Sequence, residues 1–164
     1  MRHAPATAET ATPVCRRLAL PHSTAAVPLA RALIRSLLAG AAAQADRDTA
    51  ELLTAELVAN AVEHTTGDAP IELVVELLPT GCQVEVHDPD PVPPAGLSIP
   101  TPDREPDPWQ EHGRGLLLIR ALSAACGHRP TAEGKAVWFT LPTTPAAGPV
   151  IPSVPSPRTP RAGS

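Results

Sequence analysis

Apolar residues recur at three- and four-residue spacings over residues 25–64 and at every second position over 71–88. This change of period predicts helices followed by strands. The run AAVPLARALIRSLLAG, residues 25–40, reads as a first helix with Ser23 as its N-cap and Gly40 as its stop. A second helix is expected from Asp46 or Asp48 to His64. Its apolar set includes Leu53, Leu57, Val58 and Ala61, while Glu56, Asn60, Glu63 and His64 share another face as an ordered polar stripe.

TTGDAP then reads as a turn, and IELVVELL as a strand with Ile71, Leu73, Val75 and Leu77 on one side. Pro79, Thr80 and Gly81 suit a tight connection into CQVEVHD, which predicts an antiparallel hairpin. In its second strand Cys82, Val84, Val86 and Asp88 share a face. Asp88 is therefore a carboxylate aimed at the apolar side of a sheet, at its end. Burying a carboxylate costs several kcal/mol unless it is paired, so either a partner side chain or a polar ligand is implied.

HGRGLLLIRALSAACG, residues 112–127, reads as a third helix ending near Gly127. Gly113 and Gly115 flank Arg114 immediately before its apolar run, which puts flexible backbone N–H groups at a helix N-terminus, where phosphate oxygens can be held. HRPTAEGKAVWFTLP gives a final hairpin turning at Glu133, Gly134 and Lys135, with Lys135 read as an exposed turn residue. CRRLALP is a candidate edge strand near the N-terminus. The expected architecture is an α/β two-layer sandwich, with a mixed, mostly antiparallel sheet covered by helices on one face.

The 22 prolines fall unevenly: four in residues 1–28, eight in 89–108, seven in 142–164. They predict a domain over 23–141 interrupted by a Pro-rich loop at 89–111, a flexible segment 1–22, and a disordered Pro-rich tail 142–164. Composition narrows the function classes. Only 2% of the residues are aromatic and the net charge is -4, which argues against nucleic-acid binding. No apolar run reaches the roughly 18–20 residues of a membrane span. Cys15, Cys82 and Cys126 are odd in number and form no CxxC pair, reading as reduced thiols of a soluble, cytoplasmic protein.

ELVANAVEH (56–64), VEVHDPDP (84–91) and HGRGLLLIRAL (112–122) resemble, in that order, the three ATP-binding boxes of the histidine-kinase-like ATPase superfamily. The resemblance is nearest to its branch of small bacterial anti-sigma-factor serine/threonine kinases and spans about residues 20–141. It implies a Bergerat-type ATP-binding fold, ATP and Mg2+ as cofactors, and a sigma-factor-like or anti-anti-sigma-like protein partner; relatives commonly act as homodimers. Residue by residue, it implies Asn60 as the magnesium ligand and Glu56, one turn earlier, as the catalytic base. Asp88 is implied as the acceptor of the adenine amino group, and Gly113, Arg114 and Gly115 as the phosphate-wrapping loop. Thr140 is implied as a late-strand residue near the adenine, and 89–111 as the lid. The chain departs from the pattern at Asp90, which stands where the superfamily has glycine; a carboxylate there would repel phosphates.

Taken alone, each group has a plainer reading. The stripe on the second helix is also what a solvated helix face looks like, Asp88-Pro89 is also a turn opener, and a lone GxG is weak evidence. Three function classes follow: a protein serine/threonine kinase acting on an antagonist protein in trans, a non-catalytic nucleotide- or partner-binding module, and an α/β interaction domain that binds no nucleotide.

Overall fold

The hairpin expected from the alternation over 71–88 is the centre of the sheet. In the computed structural model, which describes residues 13–39, 44–94 and 114–142, the strands are β1 (Val14–Leu20), β2 (Ile71–Leu78), β3 (Gly81–Asp88), β4 (Ala125–Pro130) and β5 (Lys135–Pro142). The helices are α1 (Ala26–Leu37), α2 (Gln44–His64) and α3 (Arg114–Leu122). The sheet order is β1-β2-β3-β5-β4 and all four pairings are antiparallel. The candidate edge strand near the N-terminus is β1, paired with β2 from Val14↔Leu77 to Leu20↔Ile71.

Period-two alternation gives the sheet one apolar face. Ile71, Leu73, Val75, Val84, Val86, Val137, Phe139 and Leu141 are buried there in a single cluster with residues from all three helices. Each fully buried aliphatic or aromatic side chain contributes about 1.5–3 kcal/mol. On α2, Ala50, Leu53, Leu57, Val58 and Ala61 are buried at helical spacing, so the apolar set read from the sequence is the core stripe. Leu116 and Ile119 do the same for α3. The other sheet face carries charge: Glu85 bonds Arg129 at 2.8 Å and His87 at 2.9 Å. Burial pushes the Glu85 carboxyl up, but the hydrogen bonds from His87, Arg129 and Gln83 outweigh it and hold it below the usual carboxylate range.

Several boundaries differ from expectation for physical reasons. Ser23 is not the N-cap. Its carbonyl accepts the Ala26 N–H at 3.0 Å as part of a turn, and Ala25 occupies the cap position without a side-chain bond. The third helix ends at Leu122, not near Gly127, because Ser123 bonds back to the Ile119 carbonyl and the Ala124 N–H is taken by the Thr140 carbonyl at 2.9 Å. Gly127 instead lies in β4 beneath Trp138, where a β-carbon would come within 3.0 Å of the indole ring. Lys135 opens β5, and the β4–β5 turn is closed one residue earlier by the Thr131 N–H on the Gly134 carbonyl at 3.0 Å. Gly40, the segment 1–12, residues 95–113 of the Pro-rich region and the tail from 143 onward lie outside the described residues.

The two long helices are joined by a forked ion pair. Arg35 of α1 donates from Nε to Glu51 Oε1 at 3.1 Å and from Nη2 to Oε2 at 2.9 Å. These bonds hold the Glu51 carboxyl below the usual carboxylate range against the opposing effect of burial. A carboxylate with a depressed folded pKa contributes stability above its unfolded value, about 4.3 for glutamate, and loses it as pH falls through the folded value. The wild type should therefore melt above Glu51→Gln at neutral pH, and the gap should close as pH drops below about 4. Thermal melts of both proteins across that range check this; a gap that is unchanged well below the folded value would remove the ion pair as its source.

Candidate nucleotide-binding site

Two of the three sequence boxes meet where α2 and α3 pack. Glu56 and Asn60 lie one turn apart on α2, both half-buried beside the core stripe. Gly115, in the first turn of α3, sits so tightly against α2 that a β-carbon would overlap Glu56 Oε2. A β-carbon here would require the Glu56 carboxylate to move aside. The glutamate side chain is thereby seated against the backbone that begins α3, the end of the helix where N–H groups lack intrahelical acceptors. Arg114 is the first residue of α3; Gly113 lies outside the described residues.

Asn60 Nδ2 is buried and, like His22 Nδ1 and Thr54 Oγ1, has no hydrogen-bond partner among the described residues. A side-chain amide can turn over and present oxygen where nitrogen stands, so this position can offer either a donor or a hard oxygen ligand. Glu63 and His64 follow on the same stripe and are exposed.

Asp88 ends β3 on the core face, as the alternation requires, and is 6% exposed. Its burial is accounted for by Lys135: Nζ donates to Asp88 Oδ1 at 2.9 Å and to the Asp90 carbonyl at 2.9 Å. The Asp90 N–H also donates to Asp88 Oδ1, at 3.0 Å. Lys135 is therefore not the exposed turn residue that its sequence position suggests; it too is 6% exposed. A signal for it was present in the alternation of β5, where Lys135 shares the face of Val137, Phe139 and Leu141, opposite a carboxylate in need of a partner. Asp90 also departs from expectation. Its Oδ1 accepts the Val92 N–H at 3.0 Å and its Oδ2 lies 3.8 Å from Lys135 Nζ, so a cation stands beside the carboxylate that was expected to repel phosphates. Pro89, Asp90 and Pro91 line an open cleft of about 360 Å3 together with His64 and Thr66 from the end of α2.

Thr140 is not brought to this group. It pairs with Gln83 on the outer face of the sheet, and its hydroxyl points to the Ala125 carbonyl at 3.4 Å. Five residues of strand, about 17 Å, separate it from the Asp88↔Lys135 pair. Thr140 therefore lies late in β5, on the sheet face opposite that of Asp88 and Lys135.

With this geometry in view, the model of the histidine kinase-like ATPase domain family matches residues 20–141. The chain belongs to that family. No curated protein sequence matches it. The histidine kinase-like ATPase fold agrees with the antiparallel sheet and its helices, and membership supports an ATP-binding regulatory function. The residues present are compatible with a magnesium nucleotide at one end of the site: the orphaned Asn60 amide nitrogen can exchange places with its oxygen, and the first turn of α3 offers backbone N–H groups beside it. Among the described residues, no helix is long and apolar enough to cross a membrane.

Proposed function

We propose that this histidine kinase-like ATPase domain is an ATP-binding regulatory protein that acts as a serine/threonine kinase of the anti-sigma-factor kind, phosphorylating an antagonist protein in trans. The observation that carries the reading is the seating of Glu56 against the Gly115 backbone with the unpartnered Asn60 amide one turn away. A base, an oxygen donor and a helix N-terminus then face one space. Asn60 is assigned to Mg2+, Gly113, Arg114 and Gly115 to the phosphates, and Asp88 to the adenine amino group. Bound magnesium-ATP supplies the phosphoryl group and neutralises charge on it. Glu56, seated beside the first turn of α3, takes the proton of a serine or threonine hydroxyl presented by the partner as the γ-phosphoryl group passes to that oxygen and ADP leaves.

A second reading is favoured by the Asp88–Lys135 ion pair: with its carboxylate already engaged, the domain serves as a non-catalytic module that holds a sigma-factor-like or anti-anti-sigma-like partner. Cytoplasmic location and a homodimer belong to the proposal in either form.

Isothermal titration of magnesium-ATP into the wild type and Asn60→Ala tests the nucleotide assignment. Asn60→Ala should weaken binding at least tenfold, about 1.4 kcal/mol, with its melting temperature close to wild type. Equal affinities would remove Asn60 from the metal site, and a wild type that fails to bind at millimolar ATP would leave only the module.

A further inference from the structure

The geometry points to Lys135 as the positioning residue of the base-recognition end of the site, an inference that rests on the nucleotide-binding reading above. Its ammonium joins two groups two residues apart in the chain, the Asp88 carboxylate and the Asp90 carbonyl, reinforcing the bond that the Asp90 N–H already makes to Asp88 Oδ1. Among the described residues, both bonds to the Asp88 carboxylate fall on Oδ1, one from Lys135 Nζ and one from the Asp90 N–H. Rotation of the carboxylate is thereby fixed, and Oδ2 is left as its acceptor. A carboxylate held in one orientation by two donors presents its second oxygen along a defined direction, which is what recognition of a single exocyclic amino group needs.

The same lysine fixes one wall of the cleft. Gly134, immediately before it, lies so close to the exit of β3 that a β-carbon would overlap the Asp88 carbonyl and the Pro89 backbone. The β4–β5 turn therefore rests directly on the chain as it leaves the sheet. Lys135 ties that chain down a second time at the Asp90 carbonyl, and Pro89 to Pro91 then line the cleft opposite His64 and Thr66. Among the described residues, the hydrogen bonds of the Lys135 ammonium go to Asp88 and Asp90 and not to Glu56, Asn60 or Gly115. Lys135 thus governs selection of the base, acting through Asp88, and leaves the hold on the phosphates unaltered.

The test compares magnesium-ATP with magnesium tripolyphosphate, which offers phosphates without a base, by titration calorimetry on the full chain. Lys135→Met should lose roughly tenfold or more in ATP affinity while tripolyphosphate affinity stays within about twofold of wild type. In an Asp88→Asn background the same substitution should add no further loss, since the lysine acts through that carboxylate. Equal loss of both ligands would reduce Lys135 to a structural role and overturn the inference, as would unchanged ATP affinity. A wild type that binds neither ligand fails the nucleotide-binding reading and takes the inference with it. If Lys135→Met does not fold, Lys135→Arg replaces it, keeping the charge but exchanging a compact ammonium for a planar fork. It should weaken ATP alone, and ATP binding equal to wild type would overturn the inference.

Discussion

Asp88→Ala should destabilise the fold by about 3–5 kcal/mol, the cost of leaving a buried cation without its partner. The Lys135 side chain is 8% exposed and its ammonium would keep one carbonyl, that of Asp90, with the Asp90 carboxylate 3.8 Å away. The lysine cannot simply relax into water, because the strand that carries it is hydrogen-bonded between β3 and β4. Asp88→Asn should cost less, since the amide oxygen still accepts from Nζ. The double substitution Asp88→Ala/Lys135→Met should recover much of the loss, because replacing both members of a buried pair is often close to neutral. Denaturant titration at constant m-value measures all three. A loss below about 1 kcal/mol for Asp88→Ala would mean that Lys135 reaches solvent and that the pair behaves as a surface ion pair.

Glu56→Gln should lower ATP turnover by about 10²–10⁴-fold, the usual worth of a positioned general base. The substitution keeps the shape of the side chain and so its fit against Gly115, where anything larger than hydrogen would displace it. Magnesium-ATP affinity and melting temperature should stay near wild type, which separates loss of a base from loss of the site. Release of γ-phosphate from radiolabelled ATP gives the rate, and transfer to a partner protein gives it again once a substrate is in hand. If, with a phosphorylatable partner present, the wild type transfers phosphate no faster than Glu56→Gln, Glu56 is not a base and the domain is the non-catalytic module.

The parts of the fold legible in the sequence are those set by local period. The β2–β3 hairpin could be placed because Ile71, Leu73, Val75 and Leu77, and then Cys82, Val84 and Val86, recur at every second position and Pro79-Thr80 leaves space for only a tight turn. Glu56 and Asn60 could be placed on one face of α2 because helical spacing is a local property. Failures came where a distant partner decided the outcome. SAACG is composed of residues compatible with a helix, yet α3 stops at Leu122 because β5 captures the Ala124 N–H. Lys135 looked like an ordinary turn lysine, and its partner lies 47 residues earlier in the chain. The resemblance implied Thr140 as a late-strand residue near the adenine, and its pairing with Gln83 sets it on the outer face of the sheet. The demand of Asp88 for a partner was legible; the identity of that partner was not.

The place of β5 in the sheet carries a consequence for how the domain forms during synthesis. β1, β2 and β3 pair with one another, but the far edge of β3 is completed only by β5, which inserts between β3 and β4. Until residues 135–142 have emerged, a nascent chain holds a three-stranded sheet open at β3 as well as at β1, with Val84 and Val86 lacking Phe139 and Val137 beside them. An unpaired apolar edge of that kind invites pairing with other chains. Asp88 likewise waits for its cation, because Lys135 lies 47 residues further along the chain.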